Sequence, residues 1–136
     1  MNGTQAAPSE YLVLSRGKWD ADASAEKIQD AIDRFYVWIE DHVTAGRMRH
    51  GQRLGSEGMT VSRQKLVTDG PFGETKEIIG GYWFILAPSL AEAADLAAGN
   101  PCLECGLFFE IRPTESVRAS AFDVTSETPV ERAKRA

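Results

Sequence analysis

The chain has 136 residues, 43% of them apolar and 26% charged, a balance that suits one soluble globular domain with a core of its own. Its formal net charge of −5 excludes a general nucleic-acid binder, which needs a basic face to displace counterions from phosphates. Met1 to Glu10 hold no basic and no apolar stretch and do not read as a signal peptide. Residues 1–10 are instead expected to form a disordered N-terminal segment. The longest apolar run, Tyr82 to Ala87, is too short to span a bilayer. A cytoplasmic protein with no membrane and no nucleic-acid partner is expected.

In chain order, Tyr11 to Gly17 predicts the first strand. Ser24 then caps a helix carrying Glu26 in its first turn, and the helix runs to about Ala45 and stops at Gly46. Its apolar face is Ile28, Ile32, Phe35, Ile39 and Val43, widened on either side by Tyr36 and Trp38. Residues 47–68 read as extended segments broken by glycine, with a small hairpin over Met59 to Thr68. Asp69-Gly70-Pro71 is a turn by its chemistry. Gly80 to Ala87 predicts a strand apolar on both faces, Tyr82, Phe84 and Leu86 on one and Trp83 and Ile85 on the other. Ser89 and Glu92 form a capping box that opens a second helix, which ends at Gly99 ahead of Pro101. In the last strand, Gly106 to Arg112, Leu107, Phe109 and Ile111 face one way and Phe108, Glu110 and Arg112 the other. Residues 114–136 form a polar C-terminal tail, with a short strand expected around Val117 to Val124.

This order is the α+β, ferredoxin-like βαββαβ pattern, in which two helices cover one face of an antiparallel sheet. The doubly apolar strand then needs a cover that no third helix supplies. A second copy of the sheet provides it, giving a homodimer with a cavity between facing sheets. On this reading the partner buries Trp83 and Ile85. The two cysteines, Cys102 and Cys105, have no further ligands nearby for zinc and do not open an α-helix as a redox pair does. They read as reduced thiols incidental to the fold. No dinucleotide, zinc or activated-nucleophile motif occurs, so no metal and no cofactor is expected.

Three blocks carry a family resemblance: Asp69-Gly70-Pro71-Phe72-x-Glu74-x-Lys76-Glu77, then Gly80-Gly81-Tyr82, then Glu110-x-Arg112-Pro113. Together with Trp38, Gly51-Gln52-x-Leu54 and Pro101, they resemble the signature of the YCII-related family, DGPF branch, over a domain of residues 11–113. The resemblance implies a dimeric α/β-barrel built from ferredoxin-like subunits. One member of the wider group eliminates chloride from a chlorinated aromatic degradation intermediate, with a histidine–aspartate pair proposed as its active site. Some DGPF-branch members accompany extracytoplasmic-function sigma factors, so a sigma factor is a partner by family analogy. The family's histidine lies in the middle of the first helix; this chain has Asp30 to Phe35 there, and its nearest histidine is His42.

The candidate catalytic residue is Asp69, either a general base in a partly dry cleft or the carboxylate of an Asx-type turn. Phe72, Glu74 and Lys76 form either a solvated loop or the mouth of the site, where Lys76 clamps an anion. Glu110 and Arg112 share one strand face, as an internal ion pair or as a carboxylate or phosphate holder. Trp38 and His42, one helical turn apart, are further ligand-contact candidates, although a histidine at a helix C-terminus is also favoured by the dipole alone. Arg47, Arg49, His50 and Arg53 make a local basic cluster, read as a solvated strand edge or an anion patch. The leading expectation is a small-molecule-binding protein, in its catalytic form a cofactor-independent acid–base enzyme, acting on a small anionic or aromatic molecule in an inter-subunit cavity. The alternative is a non-catalytic regulatory or sigma-factor-associated protein. The sequence assigns neither a substrate nor a reaction.

Overall fold

The computed structural model describes residues 7–61, 63, 67–69 and 78–133. Strand β1 (Ser9–Arg16) alternates, with Tyr11 and Val13 buried and Leu12 and Leu14 half-buried on its other side. Helix α1 (Ala25–Thr44) starts where the Ser24 hydroxyl accepts the Lys27 N–H at 3.1 Å. It is followed by Gly46 at φ 80°, the left-handed turn that glycine makes without strain. Strand β2 (Met48–Arg53) leads to a two-stranded hairpin, β3 (Met59–Val61) with β4 (Val67–Asp69), in which Met59 pairs with Asp69. Strand β5 (Ile79–Ala87) precedes α2 (Leu90–Ala97), where the Ser89 hydroxyl accepts the Glu92 N–H at 3.2 Å and donates to the Glu92 carboxylate at 3.0 Å. A 3₁₀ turn (Pro101–Cys105), β6 (Phe108–Pro113) and the short α3 (Val130–Ala133) complete the described chain.

The main sheet runs β2-β5-β1-β6, and every neighbouring pair is antiparallel. This is the ferredoxin-like order, with the β3–β4 hairpin inserted between the second and third strands of the βαββαβ unit. Helices α1 and α2 cover the same sheet face: Ile39, Ala93 and Ala97 join Tyr11, Val13, Met48, Trp83, Ile85 and Ala87 in one core. Trp83 is 4% exposed and Ile85 fully buried within this single chain. The helices therefore bury these two side chains, and no partner is needed for them. The uncovered face carries Leu12, Leu14, Tyr82, Phe84 and Leu86, all half-buried, with Phe108 47% exposed beside them.

Two further expectations change. Residues 117–124 form bends and turns, not a strand, and Phe122 is 95% exposed there; an apolar side chain with no sheet neighbour gains nothing from extending. The two thiols are free but not incidental to packing. Both are buried, Cys102 Sγ 3.9 Å from the Ala31 carbonyl and Cys105 Sγ 4.0 Å from that of Lys27, so the 3₁₀ turn is seated against α1. Burial, above all, pushes the Cys102 thiol up to about 11, opposite to the low value a nucleophilic cysteine needs. No helix among the described residues is long and apolar enough to cross a membrane.

Candidate functional site: a cavity between the first helix and the sheet

The helix-facing rows of the sheet do not stay bulky to their ends. Along β1 the row Tyr11, Val13 continues to Ser15, and along β5 the row Ile85, Trp83 continues to Gly81, which pairs with Ser15. Two small residues side by side leave space under the middle of α1. The space is a cavity of about 370 Å³, in the size range of small-molecule sites. Ile32, Phe35, Tyr36 and Ile39 of α1 form its roof, Ser15, Gly81, Trp83 and Phe109 its floor, and Trp19, Cys102 and Leu107 close one end. Around Trp83 the aromatic rings meet edge to face, with Phe35 at 5.6 Å and Phe109 at 5.5 Å between centroids.

The other end is polar because β2 is irregular there. Arg49 pairs with Phe84 and Gln52 with Tyr82, so His50 and Gly51 together oppose Trp83, which is a bulge. Gly51 makes this possible: a Cβ at that position would meet the Tyr82 carbonyl oxygen at 2.0 Å. The bulge sets His50, Gln52 and Arg53 on the cavity lining. His50 Nε2 is 2.5 Å from the Glu40 carboxylate on α1, both side chains being more than half exposed. Arg53 has no ion pair among the described residues, and no aspartate or glutamate is among the described lining residues. The indole Nε1 of Trp83 is buried and finds no acceptor among the described residues. A buried donor left unpaired costs about 1–3 kcal/mol, so that group calls for an oxygen from water or a ligand.

The residues singled out from sequence do not converge on this cavity. Trp38 and His42 pack on each other, ring centroids 5.0 Å apart, and Trp38 reaches Trp83 at 6.3 Å within the core. The His42 imidazole is engaged at Nδ1, which accepts the Arg47 Nε–H at 2.8 Å. Burial first, and the Arg47 charge second, hold its pKa below the ordinary value. Glu110 and Arg112 do share a face, as expected, but it is the open sheet face. There Arg16 at 2.5 Å is the principal partner of Glu110, with Arg112 more distant at 3.6 Å. Asp69 ends β4; its side chain, and Phe72, Glu74 and Lys76, lie outside the described residues. Of the basic cluster, Arg47 and His50 have the partners just given, and Arg49 pairs with Glu10 on the open face. Sequence reasoning missed the cavity role of Trp19, Tyr36, Gln52 and Trp83. At Gly81 a Cβ would meet the Gln52 carbonyl oxygen at 2.8 Å, so this glycine permits the close approach of β2 to β5. Among the described residues no group of His, Cys, Asp or Glu is arranged to hold a metal ion.

Fold and cavity together define a ferredoxin-like α+β domain with a small-molecule-sized cavity between helix and sheet. Residues 10–115 match the model of the YCII-related domain, and the chain belongs to that family. The solved structure of the hydroxynitrile lyase from Passiflora edulis resembles it with a TM-score of 0.41 and 12% sequence identity, over 82% of this chain and 99% of that one. The comparison with curated proteins gave no match.

Proposed function

We propose that this protein is a cytoplasmic small-molecule-binding member of the DGPF branch of its family, with its site in the cavity beneath α1. The observation that carries the reading is the cavity itself: aromatic on roof and floor, polar at one end, with an unpaired buried indole N–H on a lining residue. Two groups are proposed for acid–base chemistry, His50 on this lining and Asp69, whose side chain lies outside the described residues. His50 is paired with Glu40 as a base is paired with a carboxylate. Asp69 is the carboxylate of the DGPF block, at the end of β4. Neither needs a cofactor for proton transfer.

The open sheet face supports the second half of the proposal, a homodimer in the form of an α/β-barrel. Leaving Leu12, Phe84 and Leu86 half in water forgoes part of the roughly 1.5–3 kcal/mol that full burial of each side chain contributes, and a second copy of the same face is the self-complementary cover. That face also supports the alternative, a regulatory role with a sigma factor or another protein as the partner. Protein-observed NMR with single-ring fragments separates the readings: cavity binders are expected to shift Trp83, Phe109 and Gly81. Binders mapping only to the open face or the hairpin, or no binders at all, would overturn the cavity as the site.

A further inference from the structure

We infer that the cavity takes a small aromatic carboxylate, its ring against Phe35, Trp83 and Phe109 and its carboxylate toward Arg53. The inference rests on the reading that the cavity is the ligand site, and adds the class of molecule. Size comes first and gives the scale: 370 Å³ lies near the lower end of the roughly 300–1,000 Å³ of small-molecule sites, which suits one ring with a short substituent. The walls set the second limit, since Phe35 and Phe109 already present ring edges and faces to Trp83 at 5.6 and 5.5 Å, an arrangement a further flat ring extends.

Charge sets the third. The chain as a whole is acidic, at −5, yet the described lining contains no carboxylate and does contain Arg53. Glu40 of α1 is occupied by His50 at 2.5 Å. Arg16 with Glu110, Arg34 with Asp30 and Glu104, and Arg49 with Glu10 have carboxylate partners, whereas Arg47 and Arg118 have none among the described residues; Arg53 differs from those two in standing on the cavity lining. Arg53 stands at the cavity without one among the described residues, and its planar fork matches a carboxylate. Trp83 offers this lining its ring; its unpaired Nε1 is buried, and no ligand contact is assigned to it.

The test uses benzoate and phenylacetate as probes, with benzyl alcohol as the uncharged control, on the ¹⁵N-labelled full chain. Trp19 and Trp83 line the cavity and Trp38 does not, so three indole N–H signals give two reporters and an internal control. Both acids are expected to move the Trp83 and Trp19 signals more than that of Trp38, and to bind more tightly than benzyl alcohol. Arg53→Gln is expected to weaken the acids about tenfold, the loss of one hydrogen bond to a charged group, and to leave benzyl alcohol unchanged. Arg53→Lys should recover part of the loss through its charge. If the acids and the alcohol bind equally and Arg53→Gln changes neither, the carboxylate assignment is wrong and the cavity remains the ligand site. If none of the three probes moves Trp83 or Trp19, both the assignment and the reading beneath it fall.

Discussion

The two faces of one strand make the most instructive contrast in this molecule. On β5, Trp83 and Ile85 are as apolar as Tyr82, Phe84 and Leu86, and alternation alone does not say which set the chain covers itself. The structure gives the first set to α1 and α2, and leaves the second half-buried with no helix over it among the described residues. The covered face holds the cavity, at the point where bulky residues give way to Ser15 and Gly81. The open face is bordered by charges instead: Arg16, Glu110 and Arg112 on one side, Arg49 and Glu10 on the other, with the Arg49 guanidinium 5.7 Å from the Phe84 ring centroid. An apolar strip framed by ion pairs of both signs suits docking against its own copy. On the proposed reading the closed face is the ligand site and the open one the assembly surface.

The sharpest way to break this contrast is a pair of truncations on adjacent residues. Ile85→Ala removes fully buried atoms from the chain's own core, so unfolding free energy should fall by about 2–5 kcal/mol in urea titrations at every protein concentration. Phe84→Asp should leave the fold intact, by circular dichroism, and convert a dimer to a monomer in sedimentation. A wild-type chain that is already a stable monomer at micromolar concentration would show that the open face has no second copy on it.

A smaller effect tests the border of the open face. Arg16, whose side chain is only 15% exposed, holds Glu110 at 2.5 Å and donates from Nε to the Ile78 carbonyl at 3.2 Å. Arg112, 57% exposed, stands at 3.6 Å from the same carboxylate. Arg16→Gln is therefore expected to cost about 1.5–3 kcal/mol, and Arg112→Gln at most about 1 kcal/mol. Equal losses in thermal unfolding would mean that the two arginines share Glu110 evenly.

Much of the fold was legible because its signals are local. Ser24 and Ser89 cap their helices where the spacing of acidic and apolar residues says they should. Phe108, Glu110 and Arg112 lie on one face because a strand alternates. The cavity was not legible, because it arises from register. Ser15 and Gly81 are far apart in sequence and become neighbours only when β1 pairs with β5. His50 and Arg53 looked like part of a solvated basic edge; a bulge that depends on Gly51 lying against the Tyr82 carbonyl brings them to the lining. Trp83 was assigned to a partner because periodicity separates two faces without ranking them. Arg16, the main partner of Glu110, escaped notice because it sits on a different strand.

The smallest effect concerns the far side of the core from the cavity, where His42 packs on Trp38. Burial is the larger cause and the Arg47 charge the next in holding the imidazole pKa below its ordinary 6.5, against a weaker opposite pull from Asp41. The geometry agrees, since Nδ1 accepts from Arg47 Nε and must be unprotonated to do so. A base with a depressed folded pKa takes up its proton more readily in the unfolded chain. Its contribution to stability is thus present at neutral pH and is lost as pH falls from about 6.5 through the lower folded value. His42→Gln removes that titration and leaves the carboxylates elsewhere unchanged. Urea midpoints from pH 7 down to pH 5 should decline less steeply for His42→Gln than for the wild type, the two curves keeping a constant offset at and above neutral pH. Arg47→Gln should fall between them, as it removes the second cause and keeps the first. Parallel curves for wild type and His42→Gln across the whole range would mean that His42 titrates alike folded and unfolded, and that its contact with Trp38 is packing alone.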